Sequence, residues 1–267
     1  MGKEEYLEKM KKIREKNLIF LLKYFAHFVK YKIITTMEFF LNSKKKTISY
    51  PKENLKFIID KEEVAPYRKN IIMKRYERKE VELIKKYLPP KKDIIELGGG
   101  IGFISCLVNK RIKKNQKHIV VEANKEIVPI LKKNREINNC NFKIEEKAYS
   151  PTLNNVNFYK KEEYLSSSTI NPKEKIGSEK VQTINLNKIC SKYNISDFIL
   201  IADIEGEEIE LINNELDLLE DKCEIIIIEL HFKYPKAKKA KEKLDNSLFN
   251  MKEKKKGKNN TVFVYSK

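Results

Sequence analysis

The sequence predicts an α/β protein with a doubly wound, mostly parallel sheet and a C-terminal antiparallel hairpin, preceded by a helical N-terminal extension. Five short segments rich in Ile, Val and Leu alternate with helical patterns after residue 90. Near-continuous apolar runs of this kind are typical of parallel strands that are buried on both faces. The chain closes with two strand-like pieces around Gly257 and Asn259-Asn260, which predict the terminal hairpin.

The chain is predicted to divide into a helical N-terminal extension or accessory region, residues 1–74, and a main domain, residues 75–267. Apolar side chains recur at helical spacing over residues 4–42, which predicts one or two amphipathic helices. Lysines and a histidine interrupt the apolar part, so it falls short of the roughly 20 apolar residues that a membrane span requires. A helix that docks on a membrane surface is the alternative interpretation.

The remaining elements follow in chain order. Residues 47–70 contain two β-like pieces, TISY and LKFII, which Pro51 and Pro66 break. A helix is predicted over residues 75–88, where Pro89 and Pro90 end it. Strands are predicted at 93–97, 118–123, 142–148, 198–204 and 224–230, and helices at 102–113, 125–138, 206–219 and 235–249.

The charge of the chain is concentrated in its flanks. The net charge is +18, but it divides into +11 for residues 1–90, −2 for residues 91–231 and +9 for residues 232–267. Only 6 of the 56 basic residues are arginines, whereas base and phosphate recognition favour arginine. A solvated lysine coat is therefore favoured over a nucleic-acid surface.

The cysteines argue against a metal knuckle and a disulfide framework. Cys106, Cys140, Cys190 and Cys223 are scattered, with no CxxC pair and no histidine at metal-ligand spacing. They are interpreted as reduced thiols, and the N-terminus does not have the pattern of a signal peptide. We therefore expect a cytoplasmic protein.

A glycine-rich turn follows the first predicted strand of the main domain, in the stretch DIIELGGGIGF at residues 93–103. A dinucleotide fingerprint, GxGxxG, would require a third glycine where Phe103 stands, and no GK[ST] of a P-loop follows. The turn therefore favours a nucleotide-like ligand without phosphate, which the glycines let approach the backbone. A helix N-terminus near Gly102 would favour a carboxylate of such a ligand, and Glu96 could meet an ammonium group or a bound water. Tight packing of helix on strand is the alternative.

An acidic residue at the end of the second strand strengthens this interpretation. Glu122 lies 20 residues beyond Gly102, where a carboxylate can accept hydrogen bonds from both hydroxyls of a ribose. Asn124 follows and can assist. The alternative is an exposed carboxylate without a ligand.

The order of elements resembles the class I S-adenosylmethionine-dependent methyltransferase fold, in which the last strand inserts antiparallel into the sheet, and the pattern E-x-G-x-G-x-G is similar to its motif I. Over residues 75–232 the sequence resembles the FkbM-type methyltransferases. The resemblance rests on six stretches in the family's order: YE at 76–77, IIELGGGIGF, HIVVEANKEIVPILKKNREIN from 118 to 138, EEKAYS, FILIADIEGEEIELI from 198 to 212 and IIIIELH. Two positions depart from the family pattern, Glu96 for the commoner Asp and Asn187 for the Asp of a Leu-Asp pair.

The resemblance implies methyl transfer from S-adenosylmethionine to a hydroxyl group of a saccharide or glycoconjugate. It places the cofactor at Tyr76, Glu96, Gly98, Gly99, Gly100, Gly102, Glu122, Ala123, Asn124, Ala148 and Asp203. Two alternatives remain open: an RNA methyltransferase that uses the basic flanks, and a non-catalytic cofactor-binding module. The oligomeric state is open, with a homo-oligomer as one outcome.

The candidate catalytic residues are Asp203, Glu205 and His231, which follow or end the fourth and fifth strands. His231 is the first choice for the base because a neutral imidazole has a suitable pKa, and a structural histidine at the strand end is the alternative. Asp203 is expected to bind the acceptor hydroxyl or to orient His231. A metal-independent reaction is favoured; the alternative is a divalent cation held by Asp203, Glu229 and His231, with Glu205.

Three further features of the sequence concern the site or its surroundings. The run SSSTIN at residues 166–171 could line an acceptor pocket, and a flexible loop is the favoured alternative. His27 and His118 are predicted to be structural.

Overall fold

The structure of the protein is a computed structural model of the 267-residue chain, and it describes residues 25, 29–30, 33, 45–160, 169–170, 177–257 and 260–267. The predicted helices at 4–42, with their proposed membrane contact and His27, therefore lie almost entirely outside the described residues. The four described residues of this segment, Phe25, Val29, Lys30 and Ile33, are helical. In the described part of the chain, no helix is both long enough and apolar enough to cross a membrane.

The described chain alternates strands with helices from residue 93 onward. Its strands are β1 (Thr47–Tyr50), β2 (Leu55–Ile58), β3 (Asp93–Leu97), β4 (His118–Val121), β5 (Lys143–Glu145), β6 (Ala148–Tyr149), β7 (Asn155–Lys160), β8 (Gly177–Ile184), β9 (Phe198–Ala202), β10 (Cys223–His231), β11 (Asn250–Lys256) and β12 (Asn260–Ser266). Its helices are α1 (Arg68–Ile72), α2 (Arg78–Tyr87), α3 (Phe103–Arg111), α4 (Val128–Ile137), α5 (Leu186–Tyr193), α6 (Glu208–Lys222) and α7 (Ala237–Asp245), with a short 3-10 turn at Glu62–Val64.

Seven strands form the central sheet, in the order β11-β12-β10-β9-β3-β4-β5. The strands β5, β4, β3, β9 and β10 pair in parallel, whereas β12 pairs antiparallel with both β10 and β11. The predicted fold class is confirmed, including the C-terminal hairpin whose last strand inserts between β10 and β11. This is the strand order expected from the resemblance to class I methyltransferases.

Two hydrophobic cores cover the two faces of this sheet. Because side chains alternate along β3, Ile94 and Ile95 lie in different cores. The core around Ile94 includes α2, α3, α4 and the β1–β2 hairpin, and the core around Ile95 includes α5, α6 and α7. Both isoleucines are fully buried, and such a side chain contributes about 1.5–3 kcal/mol of transfer free energy. The parallel strands are buried on both faces, as their apolar runs predicted.

The β1–β2 hairpin packs on the first of these cores. The Phe57 ring lies 4.7 Å from the Phe103 ring, measured between centroids. Asn134 of α4 accepts a hydrogen bond from the backbone N–H of Ile58 across 2.9 Å, and Asn138 one from that of Lys56 across 2.8 Å. Residues 47–72 therefore share one core with the sheet. The proposed division of the chain at residue 74 stays a prediction.

A small second sheet departs from the predicted pattern. The segment expected as one strand at 142–148 divides into β5, which pairs with β4, and β6, which pairs with β8 in a three-stranded sheet of order β6-β8-β7. No strand or helix was predicted where β7, β8 and α5 lie. Backbone turning at residues 146–147 thus moves the chain from one sheet to the other and places Ala148 at the rim of the central sheet.

Candidate active site

A cavity of about 310 Å³ opens where the carboxyl ends of β3, β4 and β9 meet. Ligands of open α/β sheets bind at this edge because the strand order changes direction there and leaves a crevice. The wall is formed by Tyr67, Tyr76, Glu77, Gly98, Gly100, Val121, Glu122, Ala123, Asn124, Ile127, Lys147, Ala148, Tyr149, Phe158, Thr169, Asp203, Ile204, Glu205 and Glu207.

The glycine-rich turn forms one side of the cavity because no side chain fits at Gly98. Its φ is +89°, and a Cβ atom there would lie 1.8 Å from the carbonyl oxygen of Asp203. The Gly98 N–H donates to the carbonyl oxygen of Val121 across 2.9 Å, so three strand ends converge at this point. The backbone itself therefore lines the cavity, as the sequence predicted for a closely approaching ligand.

Glu122 faces this turn across the cavity. Its Oε2 accepts a hydrogen bond from the Gly100 N–H across 2.6 Å, and its Oε1 accepts one from the Asn124 N–H across 2.7 Å. Burial raises the pKa of Glu122, and the two backbone donors oppose that rise. Each oxygen keeps a further lone pair, so the carboxylate can also accept from two neighbouring hydroxyls of a ligand.

Most of the residues predicted to bind the cofactor lie on this one wall. Eight of the eleven line the cavity: Tyr76, Gly98, Gly100, Glu122, Ala123, Asn124, Ala148 and Asp203. The other three, Glu96, Gly99 and Gly102, do not. A Cβ at Gly99 would meet Val120 at 2.5 Å and one at Gly102 would meet Leu131 at 2.7 Å, so Gly99 lets the turn pack on β4 and Gly102 lets the start of α3 approach α4.

Glu96 was predicted to meet the ligand's ammonium group, but its side chain does not line the cavity. Its Oε1 accepts from the Ser105 hydroxyl across 2.6 Å, and its Oε2 lies 2.9 Å from His118 Nε2. Alternation along β3 directs Glu96 beneath α3, away from the cavity wall. The carboxylate therefore ties β3 to α3 and β4, and this contact gives His118 the structural setting that was predicted for it.

The Tyr76-Glu77 pair lines the cavity just before α2. Glu77 has a φ of +48°, a left-handed conformation that costs a non-glycine residue about 1 kcal/mol or more. The Tyr76 ring stands edge-on to Phe103, with 5.5 Å between centroids. Burial raises the pKa of Glu77 well above its ordinary value, and the Glu80 carboxylate adds to the rise. Both side chains are thus fixed at the cavity by the packing around them.

The stretch DIEGEE at residues 203–208 forms the opposite, acidic end. Glu205 and Gly206 have φ values of +53° and +117°, and a Cβ at Gly206 would lie 2.4 Å from the Tyr234 ring. Glu208 Oε1 accepts from the Ile204 N–H across 2.7 Å, and its Oε2 accepts from the Gly206 N–H across 2.8 Å. The first helical residue of α6 therefore fixes the loop that carries Asp203.

Asp203 and Glu205 both border the cavity, but they differ in the partners of their carboxylates. Lys233 Nζ lies 2.8 Å from Glu205 Oε2, whereas Asp203 Oδ1 is buried without a hydrogen-bond partner. Burial raises the pKa of Asp203 well above its ordinary value, and the Glu229 carboxylate raises it further. Asp203 is therefore a stronger base, when ionised, than an ordinary aspartate.

His231 lies behind Asp203 and does not reach the cavity wall. Its Nε2 is 3.8 Å from Asp203 Oδ1 and 3.7 Å from Glu205 Oε2, and its Nδ1 is 3.3 Å from Glu208 Oε1. Burial acts to lower the pKa of His231, but the carboxylates, Glu208 foremost, raise it above the ordinary value. His231 therefore contacts three carboxylates from behind the cavity wall, and its role as the base stays a prediction.

The structure brings together a different set of possible metal ligands from the set that was predicted. Among the described residues, Asp203, Glu208 and His231 offer ligand atoms that all lie within 4.8 Å of one another. Glu229, which the sequence analysis placed in this set, instead lies 3.4 Å from Lys79 Nζ. Glu208 was missed because it opens a helix rather than ending a strand.

Several wall residues come from segments without strong periodicity. Tyr67 precedes α1, Phe158 lies in β7, and Thr169 belongs to the run SSSTIN, of which residues 166–168 and 171 lie outside the described part. The Thr169 hydroxyl donates to Glu207. Of the wall residues Lys147, Ala148 and Tyr149, only Ala148 was predicted, from the resemblance.

One family model matches more than half of the chain. The profile described as "Methyltransferase FkbM domain" matches residues 96–255. No curated protein matches the sequence.

Solved structures resemble the chain at low identity. A putative rRNA methylase from Clostridium thermocellum has 9% identity and a TM-score of 0.44, covering 70% of this chain and 94% of its own. Fibrillarin from Aeropyrum pernix with bound S-adenosylmethionine has 11% identity and a TM-score of 0.43, covering 70% and 73%. An O-methyltransferase from Bacillus cereus, solved with S-adenosylhomocysteine, has 11% identity and a TM-score of 0.43, covering 70% and 78%.

Proposed function

This chain belongs to the FkbM family of S-adenosylmethionine-dependent methyltransferases, and on that premise we propose that it methylates a hydroxyl group of a saccharide or glycoconjugate. One observation carries the proposal: the Asp203 carboxylate borders the same cavity as the glycine-rich turn and Glu122. A proton acceptor and a cofactor-binding wall thus share one enclosed space. Methyl transfer to a hydroxyl needs both.

The cofactor fits the wall formed by Gly98, Gly100 and Glu122. The ribose of S-adenosylmethionine presents two neighbouring hydroxyls, which match the free lone pairs of the Glu122 carboxylate. The bare backbone at Gly98 and Gly100 admits the chain of the ligand at van der Waals distance. When bound, the cofactor supplies an electrophilic methyl group on sulfur.

Asp203 would act on the acceptor. The acceptor oxygen forms a bond to the methyl carbon while the carbon–sulfur bond breaks, and the hydroxyl proton passes to the Asp203 carboxylate and then to solvent. The raised pKa of Asp203 makes this carboxylate a better proton acceptor once it is ionised. His231 and Glu208 hold the Asp203 loop in place from behind.

The charge of the cavity supports a neutral, hydroxyl-rich acceptor over RNA. Among the described residues of its wall, Glu77, Asp203, Glu205 and Glu207 carry carboxyl groups, besides Glu122 on the cofactor side, and Lys147 is the one lysine. Carboxylates accept hydrogen bonds from sugar hydroxyls, whereas they repel the phosphates of a nucleic acid. In the sequence, the basic excess of the chain lies in the two flanks, residues 1–90 and 232–267.

A radiolabel transfer assay tests the proposal. The full chain is incubated with methyl-labelled S-adenosylmethionine and either cell-envelope carbohydrate or total RNA from the same cells. We expect label in the carbohydrate, as a methyl ether that survives mild alkali and is recovered on a monosaccharide after acid hydrolysis. Label in RNA alone, or label released by mild alkali as methanol, would overturn the proposal.

Two isosteric variants control this assay. Asp203→Asn removes the proposed proton acceptor, and the expected transfer is at least one hundredfold slower. Asp217→Asn makes the same chemical change on the exposed face of α6 and is expected to keep the activity of the unmodified chain. Equal activity in both variants would contradict the role of Asp203.

A further inference from the structure

We propose that Asp203, Glu208 and His231 form a binding site for a divalent metal cation at the acceptor end of the cavity. One carboxylate comes from the end of β9, one from the first turn of α6, and the imidazole from the end of β10. The three residues offer ligand atoms within 4.8 Å of one another.

The three side chains lie close enough together to serve as ligands of one cation. His231 Nδ1 lies 3.3 Å from Glu208 Oε1, and His231 Nε2 lies 3.8 Å from Asp203 Oδ1. Two ligands about 2.1 Å from one cation, at angles of about 90° to 110°, lie about 3.0–3.5 Å apart. One imidazole gives a single nitrogen to a cation, so the set would consist of one ring nitrogen and one oxygen from each carboxylate, and these atoms lie within 4.8 Å of one another.

Two buried polar atoms at this point have no hydrogen-bond partner, which is a separate observation. His231 is only 6% exposed, yet its Nδ1 makes no hydrogen bond and only faces the Glu208 carboxylate, and the buried Asp203 Oδ1 makes no hydrogen bond either. Buried polar atoms of native proteins are nearly always satisfied, so two such atoms within one cluster of side chains call for a partner that these side chains do not supply. A cation would accept an electron pair from one nitrogen of the neutral imidazole and from a carboxylate oxygen.

The local charge balance also favours a cation. Lys233 pairs with Glu205 and Lys79 pairs with Glu229. Within the described part of the chain, by contrast, no lysine or arginine pairs with Asp203 or Glu208. Two carboxylates and one imidazole are a donor set that suits Mn²⁺ and similar divalent ions.

The Glu208 carboxylate is already oriented for such a role. Its two oxygens accept from the Ile204 and Gly206 N–H groups, and ligating carboxylates in metal sites are commonly fixed by hydrogen bonds of this kind. A cation held here would adjoin Asp203 on the cavity wall and would lower the pKa of an acceptor hydroxyl that reached it. That consequence rests on the proposed function, whereas the cation site does not.

Direct binding of Mn²⁺ tests the site without any activity measurement. The full chain is freed of metal with a chelator, and the loss of the free Mn²⁺ signal in electron paramagnetic resonance is followed during titration. We expect saturable binding of one ion per chain. Glu208→Gln and Asp203→Asn should each weaken it at least tenfold, while Asp217→Asn should leave it unchanged. Glu229→Gln, outside the set, should stay within about threefold.

The outcomes separate the two proposals. S-adenosylhomocysteine binding is measured by calorimetry on the same preparations, and thermal melting establishes that each variant is folded. If the unmodified chain binds no Mn²⁺ up to millimolar concentration, or if the folded Asp203→Asn and Glu208→Gln proteins bind it undiminished, the cation site is wrong, even where S-adenosylhomocysteine binds normally. If S-adenosylhomocysteine also fails to bind, the proposed function is wrong with it.

Discussion

The Glu122 carboxylate accepts a hydrogen bond from the backbone N–H of Gly100 across 2.6 Å, which joins the end of β4 to the glycine-rich turn after β3. The two halves of the proposed cofactor wall are thus held together by one contact. Because Gly100 has no side chain, the shape of the turn there depends on contacts such as this hydrogen bond to Glu122. Glu122 is therefore both a ligand-binding group and a support for the backbone that faces the ligand.

Replacing Glu122 with glutamine should weaken cofactor binding. The amide has one acceptor oxygen where the carboxylate has two, so it cannot serve both backbone donors and both ribose hydroxyls. A hydrogen bond to a charged group is worth about 1.5–3 kcal/mol, so we expect affinity for S-adenosylhomocysteine to fall roughly tenfold to one hundredfold. Calorimetry measures this, with Asp217→Asn as the control. An unchanged affinity would place the ribose elsewhere.

Gly98→Ala should destabilise the fold and abolish cofactor binding. The new Cβ would lie 1.8 Å from the Asp203 carbonyl oxygen, and the residue has a φ of +89°. The conformational strain alone costs about 1–3 kcal/mol, so we expect a melting temperature lower by several degrees. Gly177→Ala is the matched control, since a Cβ there meets nothing within 4 Å. Equal melting temperatures for the two variants would contradict the close approach of β3 and β9.

The methyl-transfer rate should rise with pH through the ionisation of Asp203. Burial and the Glu229 carboxylate raise the pKa of Asp203 above its ordinary value of 3.8, so the active, ionised form is lost as the pH falls through that raised pKa. A profile of kcat/KM against pH should therefore show a rising limb on the acid side. Asp203→Asn should lower the rate and remove that limb. A limb that persists in the variant would assign the ionisation to another group.

The stability of the protein should fall as the pH rises through the range in which Glu80 ionises. Burial and the Glu229 carboxylate raise the pKa of Glu80 from 4.5 to about 8 in the folded chain. Between these values the folded state binds a proton that the unfolded state has released, so the free energy of unfolding decreases with rising pH, by at most about 1.4 kcal/mol per pH unit, and the loss levels off above the folded pKa.

Glu80→Gln removes this ionisation and tests the sign. We expect the variant to melt at a higher temperature than the unmodified chain at pH 8, and the difference to shrink toward pH 5. Thermal melts at pH 5, 6.5 and 8 measure it, with Asp217→Asn following the unmodified chain. Parallel curves for Glu80→Gln and the unmodified chain would show that Glu80 does not take up a proton on folding.

The central sheet could be predicted because its strands carry a strong signal. The strands β3, β9 and β10 are mostly apolar since both faces of the sheet are buried, and the turn after β3 requires glycine at Gly98 for a steric reason. Glu122 could be placed by its spacing from that turn. The same reasoning misplaced Glu96, because alternation along a buried strand decides which way a carboxylate points, and the motif alone does not give the face.

The side sheet could not be predicted because its strands are half exposed. In β8, exposed and partly buried residues alternate over the first half, so GSEKVQTI has no apolar run. The helix α5 has eight residues, too few for a clear period, although Asn185 caps it by accepting from the Lys188 N–H. Glu208 was missed for a related reason: its contact with His231 joins a helix start to a strand end, a proximity that depends on tertiary packing.

A crystal structure of the protein with bound S-adenosylhomocysteine tests the central claim most directly. The account predicts the ribose hydroxyls within about 3.2 Å of the Glu122 carboxylate, the amino-acid portion along Gly98 and Gly100, and the sulfur directed toward the Asp203 end of the cavity. A ligand whose sulfur points away from Asp203, or whose ribose lies out of reach of Glu122, would contradict it.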